Sequence, residues 1–359
     1  MRVAVKDCVV LFVHTVTFLL GLPSNLLVLF VYLRKARKRG ATPNVVYALN
    51  LCVANLVFVL WLPVNAMEIL LRGWTLPPAV CPVYSFFLFS SLYGSCLFIT
   101  AVTVGRYLSI AFPIVYKRYR HARISCVISA ALWALVLLHL GGGLVAERGA
   151  NFVSAKDDTL TCYDNFNASQ LAVLLPLRLE MAILLFLLPL VMTSFCTLRC
   201  VTLVWRSNLP LMGKRRVLTV ALSTLAVFVV CHAPYNASHI VGFATKTSVE
   251  WRTYAMLTSS CNVFLEPAVM LMLSPAVSRG IMGRIWGRQS HFSRIEGIRP
   301  QGINTNGGAK VKAAPTLSGR SQAGAGGAVS QEGGHSGTPS THMDPPTIQR
   351  TSMQFGKSL

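Results

Sequence analysis

Two arginines and a histidine stand where an apolar chain has least reason to place them. Arg178 lies about three helical turns before Pro189 in one long apolar run. His239 lies about one and a half turns past Pro234 in the next, and Arg252 opens the last. A guanidinium inside a membrane helix costs roughly 2.5–3.5 kcal/mol, so two of them imply an anion that compensates both. A carboxylate suits best, because the planar fork of an arginine pairs with it bidentately. His239 can donate to the same oxygens or hold one arginine in place. The chain also offers internal partners: Glu180 or Asp164 for Arg178, and water at the helix end for Arg252.

The elements that must position these side chains follow from hydropathy. Of 359 residues, 53% are hydrophobic and only 13% charged, and the mean hydropathy is +0.55, so lipid is the solvent for most of the chain. A bilayer core about 30 Å thick takes about 20 apolar residues per helical span. Such runs cover 8–33, 45–71, 82–112, 124–145, 170–204, 217–244 and 251–273. In hydrocarbon the backbone must satisfy itself, which makes each run a helix. The expected fold is an all-α membrane protein, a seven-transmembrane helix bundle over 1–274. An amphipathic membrane-surface helix over 275–290 follows, basic through Arg279, Arg284 and Arg288 and apolar through Ile281, Ile285 and Trp286. The remainder, 291–359, is rich in Gly, Ser, Thr, Pro and Gln, and reads as a disordered tail.

The formal charge of +21 does not point to nucleic acid, because the cations gather between apolar runs. Arg34 to Arg39, Lys117 to Arg123 and Lys214 to Arg216 mark three cytoplasmic loops by the positive-inside rule. That places the N-terminus outside, the C-terminus inside, and the whole in the plasma membrane as a multi-pass protein. The first run carries no cleavage site and reads as a signal anchor. The ten cysteines form no CxxC and no zinc spacing. The spans hold neither H-E-x-x-H nor paired aspartates, so no enzyme and no cofactor are implied. A retinal pump lacks its lysine in the last span. An organic-anion transporter would use the arginines, yet no inverted repeat is visible.

Local motifs supply the rest. Cys81 opens the third run, Gly105-Arg106-Tyr107 closes it, and Pro113-Ile114 follows. Landmarks recur in the other runs at Asn25, Trp133, Pro189, Pro234 and Pro267. This order resembles the rhodopsin-like G-protein-coupled receptors. The resemblance implies that Arg106 faces a heterotrimeric G protein, that Ile114 inserts into it, and that Cys81 and Cys162 form a disulfide. It also implies an arrestin partner for the phosphorylated tail.

Within that class, 161–166 (TCYDNF), 175–180 (LPLRLE), 234–239 (PYNASH) and Trp251-Arg252 resemble the free fatty acid receptor family across all seven spans. The Arg-Leu-Glu run and the histidine are most like its short-chain branch; 42–51 and Gly105-Arg106-Tyr107 look more like the long-chain branch. The resemblance implies a short-chain carboxylate ligand held by Arg178, Arg252 and His239, with hydroxyls from Tyr93 and Tyr235 and a deeper wall at His139. Signalling would run through Gi/o or Gq. A longer fatty acid or another small anion is the alternative. At about 1.5 kcal/mol per heavy atom at best, an acid of roughly four to six heavy atoms binds no tighter than micromolar.

Asn167-Ala168-Ser169 is a glycosylation sequon in an outer loop; Asn236-Ala237-Ser238 lies inside a span and is disregarded. Other positions depart from the class. Asn55 and Glu266 stand where it has Asp and Asn, so an inner sodium or proton site of Asn55, Ser95 and Glu266 would carry its acid on the seventh span. Thr197, Met270 and His232 replace aromatic switch residues, and Gly105 replaces the acid beside Arg106.

Overall fold

The computed structural model describes residues 5–146, 153–156, 159–163 and 166–272, all within the first of the two units into which the chain divides, Met1–Arg284. The surface helix expected over 275–290 and the tail over 291–359 lie outside the described residues. Helix dominates: α1 Val5–Arg39, α2 Pro43–Leu70, α3 Val80–Ala111, α4 Pro113–Tyr119 and α5 Ala122–Ala146. A hairpin follows, β1 Val153–Lys156 and β2 Thr159–Cys162. After it, α6 Ala168–Met181 runs through a π turn, Ala182–Leu187, into α7 Leu188–Arg206; α8 Leu211–Thr245 and α9 Arg252–Met272 complete the bundle.

Six helices are long and apolar enough to cross a membrane by composition alone: α1, α2, α3, α5, the continuous α6–α7, and α8. The seventh, α9, is 21 residues, about 32 Å at 1.5 Å per residue, but more polar. It carries its polarity inward. Thr258 and Ser259 donate to the Cys231 carbonyl at 3.1 and 2.8 Å, near Pro234 of α8. Asn25 of α1 donates to the Val263 carbonyl at 2.7 Å. Polar groups of α9 thus become interhelical hydrogen bonds, which hydrocarbon makes costly to leave unmade.

The outward faces are apolar, as at Phe12, Leu60, Val127, Leu138, Val191 and Val230, while Asn25, Asn55, His232, Asn236, His239 and Glu266 are buried. α3 sits centrally, packed on α2, α5 and α7. Tyr93, Phe98 and Ile99 are among its fully buried side chains.

The basic runs read as loops are in fact largely helical. α1 continues through Arg34, Lys35, Arg37 and Lys38, α8 begins before Lys214, and Lys117 and Arg118 lie on α4. Lysine and arginine are good helix formers, so a helix whose apolar part ends need not end with it. Proline explains the π turn. Pro189 has no N–H to donate, and the preceding Leu188 N–H reaches five residues back to Ile183 O. One extra residue in a turn re-aims the outer segment by about 100°, and that segment carries Arg178.

The hairpin is in register from Val153↔Cys162 to Lys156↔Thr159. It is tied to the bundle by the Cys81–Cys162 disulfide, by Trp74 N–H on Leu160 O at 2.6 Å, and by Cys162 N–H on Glu68 Oε1 at 2.8 Å. Chain entry into α6 is fixed by a capping box: Asn167 Oδ1 accepts from Gln170 N–H at 2.8 Å, and Gln170 Oε1 accepts from Asn167 N–H at 3.0 Å. Asn167→Ala is expected to cost about 1 kcal/mol, read as a lower melting temperature in detergent. Asn167→Asp keeps the acceptor and should melt like the parent.

Candidate functional site

Arg178 lies in the last turn of α6, His239 lies on α8 and Arg252 opens α9. The structure buries all three, at 2%, 2% and 9% exposure. It brings the arginines together over one pair of rings. The Arg178 guanidinium carbon lies 5.5 Å from the Tyr163 ring centre and 4.9 Å from that of Phe166. For Arg252 the distances are 5.6 and 5.8 Å. Such contacts contribute about 0.5–2 kcal/mol each, which offsets only part of the cost of burying a guanidinium.

Hydrogen bonding is incomplete at this point. Arg252 Nη2 donates to the Tyr163 carbonyl at 3.2 Å. Among the described residues, Arg178 Nε and Nη2 and His239 Nδ1 are buried without a hydrogen-bond partner. Two donors on one guanidinium edge are what a carboxylate's two oxygens accept, and an imidazole nitrogen can also donate.

The expected internal partner is engaged elsewhere. Glu180 is half exposed and faces His139, whose Nε2 is 3.4 Å from its Oε1; His139 Nδ1 contacts Leu135 O at 2.7 Å. Two positions separate Arg178 from Glu180, so on a helix they face different ways. His139 therefore belongs to an α5–α6 pair. Asp164 lies outside the described residues.

Aromatic rings complete the enclosure. The His239 ring meets the Tyr235 ring edge-on at 4.5 Å, Tyr235 stacks on Phe89 at 6.2 Å, and Phe89 lies 4.8 Å from Tyr163. Tyr93 is deeper and fully buried, its hydroxyl donating to Asn236 Oδ1 at 3.4 Å. Tyr163, Phe166, Phe89 and Asn236 were not among the residues singled out as site residues. Tyr163 and Phe166 lie in a loop run that carried only family resemblance, and Phe89 in an apolar run that gave no signal. Tyr163 has φ 59°, a left-handed conformation costing a non-glycine residue about 1–3 kcal/mol. The adjacent disulfide and the Arg252 bond hold it there.

A cavity of about 710 Å³ adjoins this enclosure. Arg252, Tyr163, Tyr235 and Phe89 line it on one side, and residues of α1 and α2 on the other. Arg178 and His239 do not line it.

Deeper in the bundle, Asn55 Nδ2 donates to Asn25 Oδ1 at 3.1 Å and Ser95 Oγ to Asn55 Oδ1 at 3.0 Å. Glu266 does not join this chain by a hydrogen bond: among the described residues both its carboxyl oxygens are buried without a partner, as is Asn262 Oδ1 one turn before it.

At the basic end, Arg106 Nη1 donates to Thr224 Oγ1 of α8 at 3.3 Å. Ile114, on α4, is 84% exposed. Thr197 and Met270 are buried, and the His232 ring stacks on Phe228 at 5.2 Å. The structure gives a physical reason for Gly105: a Cβ there would overlap Asn44 Oδ1 of α2. Gly105→Ala is expected to cost about 1–3 kcal/mol. Adding Asn44→Ala should restore most of the loss in melting temperature.

Residues 24–269 match the rhodopsin family of seven-transmembrane receptors. The chain is 36% identical to free fatty acid receptor 3 of Mus musculus over 263 residues, covering 73% of this chain and 82% of that protein. It is likewise 36% identical to free fatty acid receptor 1 of Mesocricetus auratus over 272 residues, 73% of this chain and 90% of that one. With free fatty acid receptor 2 of Rattus norvegicus the identity is 33% over 273 residues, 75% and 83%. These relatives are receptors, not enzymes. The bundle, its disulfide and these similarities agree: the chain is a multi-pass membrane receptor that belongs to the free fatty acid receptor family of the rhodopsin class.

Proposed function

We propose that this receptor is activated by free carboxylic acids, short-chain ones foremost, held by Arg178, His239 and Arg252, and that it signals to heterotrimeric G proteins of the Gi/o or Gq kind. The observation that carries the reading is the pair of buried guanidiniums facing the same two rings, with two donors of Arg178 unmatched. The acid's carboxylate takes those donors and the His239 nitrogen. Its short tail meets Tyr235 and Phe89. Tyr93, bonded to Asn236, lies beneath the ligand on α3. Binding so draws α6, α8 and α9 together at one end of the bundle.

In this reading the hairpin end faces outward in the plasma membrane, and the basic end, with the C-terminal tail, faces the cytoplasm. Arg106 leaves Thr224 to meet the G protein, and the exposed Ile114 docks into it. Arrestin engages the phosphorylated tail, and the segment over 275–290 lies on membrane lipid. Asn167 carries a glycan on its Nδ2, which the cap leaves unused. An acid panel of increasing length, applied to cells expressing the protein, tests the reading. Responses should peak among short acids at micromolar to millimolar concentrations and fall sharply in Arg252→Ala. Unchanged potency in that variant and in Arg178→Ala would remove the carboxylate; a peak at long acids would favour the longer-chain alternative.

Glu266 belongs to a second element of the proposal. A buried carboxyl with both oxygens unmatched is neutralised by a proton or by a cation, and the oxygens of Glu266 and Asn262 share one helix face. Glu266→Gln should abolish any dependence of acid potency on sodium and shift basal signalling. Identical sodium dependence and basal signal in the variant would refute the role.

A further inference from the structure

The cavity beside Arg252 changes character along its length. Near the hairpin end, Lys6 and Asp7 of α1, Glu68 of α2 and Arg72 just past it line the mouth. Deeper, the lining passes to Phe58 and Leu62 of α2, Leu88 of α3 and Leu257 of α9, each 3–7% exposed. Phe58, Leu62 and Leu88 share one buried cluster with Val263 of α9, so packed core closes the floor. An apolar tail gains by leaving a charged mouth for such a floor, about fourfold in affinity per buried methylene. The lining points a tail inward.

The direction toward α5 is filled. Phe89 and Tyr235 line the cavity, and both belong to a second buried cluster with Tyr93, Val136, Leu140 and Leu185 of α3, α5 and the π turn. A tail entering that cluster has to displace close-packed side chains; a tail that passes the two rings into the cavity does not. Along α9, Arg252, Thr253, Met256 and Leu257 present one helix face to this space. Arg252 and Leu257 are five residues apart, about 7.5 Å of axial rise. An extended chain advances about 1.2 Å per bond, so a tail of roughly five or six carbons spans the drop.

We propose that Phe58, Leu62 and Leu257 form the subsite for the acid's alkyl tail and set the chain length the receptor prefers. The inference rests on the carboxylate reading of the arginines and adds to it the residues that measure the tail.

Straight-chain acids of about two to ten carbons bracket that reach, and their dose responses on cells expressing the full chain test it, with receptor at the surface counted by antibody labelling. Potency should rise about fourfold per carbon up to the length that meets the floor, then fall. Leu257→Ala and Leu62→Ala open the floor, so the best acid should become about two carbons longer, and that longer acid about tenfold more potent than on the parent. Leu257→Phe should cut the profile short. Leu140→Ala, in the cluster toward α5, should leave the best length where it was. Where Leu62→Ala does not reach the surface, the two Leu257 variants supply the comparison. An unmoved best length in the floor variants, or a longer one in Leu140→Ala, overturns the subsite, while loss of the response in Arg252→Ala leaves the carboxylate reading standing. Silence of the parent receptor to every acid overturns both.

Discussion

Arg178→Ala is expected to abolish the response to short carboxylates while leaving the unliganded receptor at least as stable as before. The two halves have one cause. The Arg178 guanidinium is buried, and two of its nitrogens lack a hydrogen-bond partner among the described residues. Contacts with the Tyr163 and Phe166 rings give it about 0.5–2 kcal/mol each, while the dehydrated charge costs several kcal/mol. Removing the side chain relieves the apo protein of that cost and opens space between rings that can repack. The liganded state instead loses a charge-paired bidentate contact. Truncating one partner of such a pair costs about 2–5 kcal/mol, or roughly 30-fold to several-thousand-fold in affinity. Since a short acid gains at most about 6–9 kcal/mol in all, what remains is at most about 7 and centres near 4 kcal/mol, in the millimolar range. Dose-response curves and thermal melting of the purified receptor in detergent give the two readouts. A melting temperature well below the parent's would make Arg178 a structural residue. Arg178→Lys keeps the charge without the fork and should recover only part of the response.

Much of this arrangement is legible in the sequence. Seven apolar runs locate the helices, α9 included, because hydrocarbon leaves a long apolar segment no other backbone solution. Arg178, His239 and Arg252 stand out because charge and imidazole inside such runs need a reason. Side-chain direction is harder. Glu180 turns to His139 rather than to Arg178, and a π turn sits between Arg178 and Pro189; helical periodicity alone does not anticipate a turn of that kind. The residues that make the enclosure a site are harder still. Tyr163 and Phe166 lie outside any periodic element, and nothing local shows that both arginines will lie over their rings. Basic runs such as Arg34 to Lys38 mislead in the other direction. Charge there marks the membrane boundary, and the helix runs on through it.

The Cys81–Cys162 disulfide carries the other large expected effect, because its consequences reach the arginines through one residue. It closes a separation of 81 residues, and removing a bond of that kind costs about 2–5 kcal/mol. Cys162 also donates its N–H to Glu68, and the next residue, Tyr163, holds a left-handed φ of 59° while its carbonyl accepts from Arg252. With the disulfide gone, that strained conformation loses its covalent neighbour. Tyr163 then relaxes, and Arg252 loses the carbonyl and the ring that position it. Cys162→Ser is therefore expected to lower both the amount of receptor at the cell surface and the potency of short acids on the receptor that arrives there, counted per surface molecule. Mild reduction of the parent receptor should reproduce the loss of potency without the loss of surface protein. Tyr163→Ala separates the two contributions: it keeps the disulfide and the backbone carbonyl that accepts from Arg252, so surface levels should stay near the parent's, while potency should fall about tenfold as the cation–π contacts with both arginines are removed. Parent-like potency in Tyr163→Ala, alongside the expected losses in Cys162→Ser, would take the Tyr163 ring out of the binding site and leave its carbonyl as the disulfide's link to Arg252.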